Sequence, residues 1–219
     1  MARRSDHTRE ELHKMALTAA RKIVAKEGLR GLSTRRIAGE IGYTAGTLYQ
    51  LFDDLDDLIL QVNGATLDDL YAVCKDVSLE GEPEQVLEDL ADSYIRFVIK
   101  NPKLWAAVVE HNLPDSGESP SWYRDRISKL LGLVETALKP LYSSGSIRNR
   151  GHDAHVLWGS LYGIASLASA DKLPSNVTAH QLVLSLIRNY VAGIRSLWAS
   201  ARQVQPRGSS RTRKTARSA

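Results

Sequence analysis

Apolar residues return every three or four positions along nearly the whole of this 219-residue chain, and that spacing admits helices rather than strands. Leu12, Met15, Ala16, Ala19, Ala20, Ile23 and Val24 set the pattern first. They predict an amphipathic helix over about 8–27, stopped by Gly28. The same spacing predicts further helices over about 35–41, 45–51, 54–75, 83–100, 103–111, 121–142, 153–170 and 179–201. Gly42-Tyr43, Gly81-Glu-Pro83, Asn101-Pro102, the two prolines within 113–120, the loop 143–147 and Leu173-Pro174 break the pattern between them. The expected fold class is all-α with about nine helices: a three-helix N-terminal unit over 1–53, then a helical bundle over 54–202. The chain is long enough to bury a substantial core.

Charge is distributed unevenly. Residues 1–50 hold ten Lys/Arg against five Asp/Glu, residues 51–199 hold thirteen against twenty, and residues 200–219 hold six and none. A basic head on an acidic body suits a polyanionic partner for the head. The tail over 203–219, rich in Arg, Ser, Thr and Gly, is expected to be disordered.

The longest uncharged run, 156–170, is too short and too rich in Gly and Ser to span a membrane. It reads as a buried or interface helix. No secretory signal opens the chain, and the lone Cys74 fits a reducing cytoplasm. Catalytic and cofactor signals are weak. His152-Asp-Ala-His155 is half a metal site with no Cys or further His cluster to complete it. There is neither a phosphate loop nor a readable nucleophile–base pair. No metal, cofactor or enzymatic activity is expected.

The most informative segment is 33–52. Ile37, Ala38 and Ile41 give one apolar face, Leu48 and Phe52 a second, and Gly42 permits the sharp turn between them. Two short helices held in this way form a helix-turn-helix, whose second helix enters the DNA major groove. Thr34, Arg35 and Arg36 then lie at the start of the first helix, within reach of phosphate. Tyr43, Thr44, Ala45, Gly46 and Thr47 form the leading edge of the second. Gly46 allows close backbone approach, and Thr47 can touch a base or a thymine methyl. Tyr49 offers a hydroxyl to phosphate, and Gln50 suits an adenine edge.

This segment resembles the DNA-binding domain of the TetR family of transcriptional regulators. The matching positions are Thr34, Ile37, Ala38, Gly42, Tyr43, Thr44, Gly46, Thr47, Leu48, Tyr49 and Phe52. One position departs: family members often carry Lys three residues after this Phe, to hold phosphate, and this chain has Leu55 among aspartates. The basic arm of Arg3, Arg4 and Arg9 is expected to compensate along the DNA backbone.

The resemblance further implies a repressor of a palindromic double-stranded operator, released by a small-molecule effector in a C-terminal pocket. It also implies a homodimer built from the last two helices. Gly159 and Gly163 allow close helix approach, and Leu182, Leu186, Tyr190, Ile194 and Leu197 are expected to present the final helix's apolar face. The Trp158-x-x-x-Tyr162-Gly163 pattern resembles a C-terminal subtype with Trp, His and Gly, Tyr162 standing at the His. Pocket candidates are Tyr94, Phe97, Trp105, His111, Trp122, Tyr123, Trp158 and Tyr162. A helical enzyme or carrier with a basic cap, and a nonspecific nucleic-acid binder driven by the charged ends, remain alternatives.

Overall fold

Most helices start where a side chain or a proline deals with backbone N–H groups that have no intrahelical partner. In the computed structural model, which describes residues 7–111, 119–142 and 147–203, Thr8 and Glu11 form a reciprocal capping box in front of α1 (Arg9–Glu27). Ser33, not Thr34, caps α2 (Thr34–Ile41) by accepting from the Arg36 amide. After the single-turn α3 (Ala45–Leu48), Asp54 caps α4 (Leu55–Cys74) through the Asp57 amide. Pro83 and Pro102, which have no N–H to lose, open α5 (Pro83–Lys100) and α6 (Pro102–Glu110). Then come α7 (Ser121–Leu138), α8 (Ile147–Ser169) and α9 (Ala179–Gln203), the last fronted by a Thr178–Gln181 capping box. No strand occurs among the described residues.

Three bounds differ from the sequence expectation. α7 ends at Leu138 and tightens into a 3-10 turn, Lys139–Leu141, because Pro140 brings no N–H to the ladder. α8 starts at Ile147 rather than near 153, since Arg148-Asn-Arg-Gly-His152 carries no apolar stripe to announce a helix. α3 ends at Leu48 rather than 51, where bonds from Gln50 to Thr47 and from Leu51 to Leu48 tighten the chain. The tail over 204–219 lies outside the described residues.

Two apolar cores share their walls. The first gathers Ala16, Ala20, Ile23 and Val24 of α1, Ile37 and Ala38 of α2, Leu48, Phe52, and Leu58, Ile59 and Val62 of α4. The second takes Leu60, Leu67, Leu70 and Cys74 from the same α4, with the buried faces of α5, α7, α8 and α9. α6 is divided likewise, with Leu104 and Ala107 in the first core and Trp105 in the second. Buried Asn63 of α4 donates to the Ala107 carbonyl of α6 at 3.0 Å. The Lys103 ammonium reaches the Lys26 carbonyl at the end of α1.

In the C-terminal bundle, α9 turns Val183, Ile187, Val191 and Ile194 inward. The face expected for its partner surface is corrected here, since Ile194 is buried and the Tyr190 hydroxyl donates to Asp153 of α8 at 2.8 Å. The sequence showed several apolar residues around α9, and periodicity alone did not separate the inward row from its neighbours. Leu197 lies outside the described side chains. Tyr142, after α7, donates to the same carboxylate, so Asp153 ties three elements together. Burial, with the hydrogen bond to Asp153 next, pushes both tyrosine hydroxyls above their ordinary range.

Gly64 sets the approach of α7 to α4. A Cβ there would lie 2.8 Å from the Trp122 ring, which itself lies under the Arg126 guanidinium at 5.1 Å. Gly64→Leu should therefore destabilise the fold by about 1–3 kcal/mol through overpacking, despite the gain in helix propensity. Urea unfolding of the two proteins checks this, and an unchanged midpoint would show that Trp122 moves aside freely.

Candidate functional site

The helix-turn-helix turns at Gly42, whose φ of 76° and ψ of 26° place it in the left-handed region that a Cβ disfavours. Its N–H and that of Tyr43 close on the last carbonyls of α2. Ile37, Ala38, Leu48 and Phe52 are buried beneath the two helices, and His13 of α1 stacks on Phe52 at 4.6 Å. The opposite surface carries the polar set read from the sequence. Arg35, Thr44, Gly46, Tyr49 and Gln50 are exposed; Thr34, Tyr43, Ala45 and Thr47 are half-buried. Tyr49 is 61% exposed and leaves the apolar core to Leu48. The hydroxyls of Thr44 and Thr47 lie 3.3 Å apart. The nearest atom to a Cβ built on Gly46 is the Thr44 hydroxyl oxygen at 3.7 Å, so packing within the protein does not require glycine there.

Other basic and aromatic groups are placed differently from the sequence expectation. The Arg36 guanidinium turns back to α1, bonding both Glu27 carboxylate oxygens at 2.5 Å and the Gly31 carbonyl at 3.1 Å. That hydrogen-bonded pairing lowers the Glu27 pKa and raises that of Arg36. Arg36 therefore braces α2 rather than standing free toward DNA. The Tyr43 hydroxyl is paired with His7 at 2.9 Å. Arg9 donates to the Gln50 carbonyl at 3.1 Å, holding the chain just after α3. Arg3 and Arg4 lie outside the described residues. At the start of α4, Leu55 packs against the first core. Asp57 accepts from the Asp53 amide and from Gln61, so these carboxylates serve the helix end.

A cavity of about 620 Å³ opens in the bundle between α4, α5, α6, α7 and α8, with Ile187 of α9 also on its wall. Six of the eight expected residues line it: Tyr94, Trp105, His111, Tyr123, Trp158 and Tyr162. Phe97 and Trp122 do not, and both are corrections. The face of α5 open to the cavity runs Leu87, Leu90, Ala91, Tyr94 and stops there, leaving Phe97 in the solid core. Trp122 is held against Gly64 and Arg126. Sequence reasoning missed the leucines of α4 and α7 and Cys74 on the cavity wall, because a lining leucine and a core leucine have the same helical spacing. Burial pushes the Cys74 thiol up to about 11 and the Tyr123 hydroxyl up to about 12. Cys74 is thus an unreactive wall residue.

Tyr94 Oη and Trp105 Nε1 are buried beside each other, and His111 Nδ1 is buried without a hydrogen-bond partner. The rings of Tyr94 and Trp105 meet edge to face at 5.3 Å. Burial, with Tyr162 and Cys74 nearby, raises the Tyr94 hydroxyl above its ordinary range. The other ring nitrogen of His111 lies 2.8 Å from Asp56 Oδ1 in the first turn of α4. That side chain is only 6% exposed. Asp56 was not legible as a partner, because 55 positions separate the two residues.

α8 exposes Val156, Leu167 and, at the edge of the cavity, Trp158. Cβ atoms built on Gly159 and Gly163 of α8, and on Gly193 of α9, would meet open space. His155 Nδ1 is satisfied by the Gly151 carbonyl at 2.7 Å, and His152 Nδ1 lies 3.4 Å from Asp153 Oδ1. No group of three or more metal-ligating side chains occurs among the described residues. No helix among them is long and apolar enough to cross a membrane.

Comparison with known proteins matches both halves. Residues 16–62 match the family profile of bacterial regulatory proteins of the tetR family, and residues 87–190 match that of the tetracyclin repressor-like C-terminal domain. No curated relative matches the sequence. Among solved structures, a protein of unknown function from Rhodococcus sp. RHA1 superposes with a TM-score of 0.70 at 19% identity, over 88% of this chain and 98% of that one. A tetR-family regulator from Streptomyces coelicolor gives 0.65 at 15% identity, over 88% and 83%. The regulator FadR from Bacillus subtilis, in complex with stearoyl-CoA, gives 0.62 at 14% identity, over 83% and 98%. These structures share the fold, and the two profile matches together extend over most of the sequence, including the helix-turn-helix built on Gly42. The chain belongs to the TetR family of bacterial transcriptional regulators.

Proposed function

We propose that this protein is a homodimeric repressor that binds a palindromic DNA operator in the cytoplasm and is released by a small molecule held in the bundle cavity. The observation that carries the reading is the polar surface of α2 and α3 above a tightly packed apolar floor. Thr47 and Gln50 face base edges, while Thr34, Arg35 and the Tyr49 hydroxyl take phosphates. Residues 1–53 act as the DNA-binding unit and 54–202 as the effector and dimer unit. The ligand in the FadR structure supports an effector site in a shared fold. For the dimer, the exposed Val156, Trp158 and Leu167 of α8 offer an apolar surface that a second copy can cover.

The path from cavity to DNA runs through His111. Its ring stands on the cavity wall and bonds Asp56, one turn beyond the helix-turn-helix. A ligand that moves α6 shifts α4, and with it the spacing of two recognition helices that must match successive major grooves about 34–36 Å apart.

DNase footprinting on the DNA flanking the gene should show a protected palindrome. Tyr49→Ala and Thr47→Ala should each weaken operator binding by roughly tenfold or more while the thermal unfolding curve of Tyr49→Ala stays in place. Retained affinity in both variants would remove α3 from the interface. Light scattering at micromolar concentration should report twice the mass of one chain, and a monomer there would contradict the use of α8 and α9. Leu55→Lys should raise affinity for all sequences alike and steepen the dependence on salt by about one ion. A changed sequence preference would instead place residue 55 against bases.

A further inference from the structure

Resting on the reading of α3 as the DNA-recognition helix, we infer that the start of α1 is a clamp that sets the pose of α3, with His7 and Arg9 as positioning residues for sequence-specific binding. The juxtaposition that carries this is long-range, across 36 and 41 positions. His7 Nδ1 meets the Tyr43 hydroxyl at 2.9 Å, immediately before Thr44, the N-cap of α3. The Arg9 guanidinium donates to the Gln50 carbonyl at 3.1 Å, just past Leu48, where α3 ends. One short stretch of chain thus grips α3 on both sides.

α3 needs such a grip. It has four residues, and its N-cap side chain bonds no helix amide. A single turn does not repay its own nucleation cost. Carbonyls at a helix end have no intrahelical donor, and a cationic donor suits them best. Buried Leu48 and Phe52 anchor the segment from beneath, and contacts off that floor are what fix its tilt. The clamp itself is held in place. Thr8, between the two gripping residues, caps α1, and Glu11 accepts from the Thr8 amide at 2.7 Å to close the capping box. One turn along α1 from Arg9, His13 stacks on Phe52 at 4.6 Å and extends the contact past α3. Base edges are read through directional bonds that a tilted helix loses, whereas phosphate attraction survives a small tilt. Loss of the clamp therefore costs specific binding. An arginine that gripped phosphate would instead strengthen binding to every sequence alike and release counterion.

The test uses the purified full chain, with His7→Ala, Arg9→Ala and Arg9→Lys beside the wild type. Amide hydrogen exchange of the DNA-free protein should quicken about three- to tenfold across 44–52 in each alanine variant. Exchange in α5 and α7 and the melting temperature should hold, since both residues are exposed. Arg9→Lys keeps a cationic donor and should restore most of the protection. Fluorescence anisotropy with the footprinted palindrome should show binding about three- to tenfold weaker in the alanine variants, against less than about twofold on a duplex of scrambled sequence. The slope of log affinity against log salt should not change. Wild-type exchange across 44–52 in both alanine variants overturns the clamp. So does a parallel loss on both duplexes with a slope smaller by about one ion, which makes Arg9 a phosphate contact. Exchange that rises throughout the molecule with a lower melting temperature overturns it as well, because the two residues then serve the whole fold. The exchange measurement needs no DNA. Wild-type protein that protects no palindrome overturns the recognition reading of α3, while faster exchange confined to 44–52 still upholds the grip on it.

Discussion

The helix α4 is the member on which the rest of the structure depends. Its first two turns give Leu58, Ile59 and Val62 to the core beneath the helix-turn-helix, and the remainder gives Leu60, Leu67, Leu70 and Cys74 to the bundle. A helix is stiff over this length, and close-packed interiors transmit strain rather than absorb it. Repacking in the bundle therefore cannot be confined there if it moves α4. α6 repeats the arrangement with Leu104 and Ala107 on one side and Trp105 on the other. The Asn63 amide, buried and bonded to the Ala107 carbonyl, locks these two shared helices to each other. Breaking that bond would leave the buried Asn63 amide donor unpaired, which resists separation of the two helices.

How much of this was legible follows from the range of the interactions involved. Gly28 and Gly42 announced helix ends because a terminal glycine acts on its own stretch of backbone. The amphipathic faces of 33–52 announced the helix-turn-helix for the same local reason. Arg36 was not legible, since its choice of Glu27 over solvent depends on the angle between α1 and α2. The cavity was half legible. Aromatic residues marked part of the wall, but Phe97 and Trp122 are aromatic too and end up in solid packing. Which leucines face empty space is a property of how the surrounding helices fail to close, and no single helix records it. The polar start of α8 shows the same limit, since periodicity sees only helices with an apolar stripe.

The start of α4 also reveals a balance between fold and grip. The end of a helix bearing free N–H groups is a natural phosphate site. Here Asp54 takes the Asp57 amide, and Asp57 in turn takes the Asp53 amide. The carboxylates that stabilise the helix dipole also repel a phosphate backbone. With Leu55 packed inward, this edge of the DNA-binding unit is built for stability of the join between the two cores.

His111 is where that join meets the cavity. One imidazole lines the cavity and carries the bond to Asp56 on one nitrogen. A shift of this ring on the cavity side therefore also shifts that bond. The state of the cavity and the hold on the first turn of α4 are then linked by one ring. Linkage requires that such coupling run both ways: whatever position of α4 DNA prefers must also change the affinity of the cavity by the same factor. A tenfold effect needs only about 1.4 kcal/mol of difference between the two states, which is within what a single charge-assisted hydrogen bond contributes. The fold therefore needs no large rearrangement to make a useful switch, only a change in the geometry of one buried pair at the end of a helix shared by both cores.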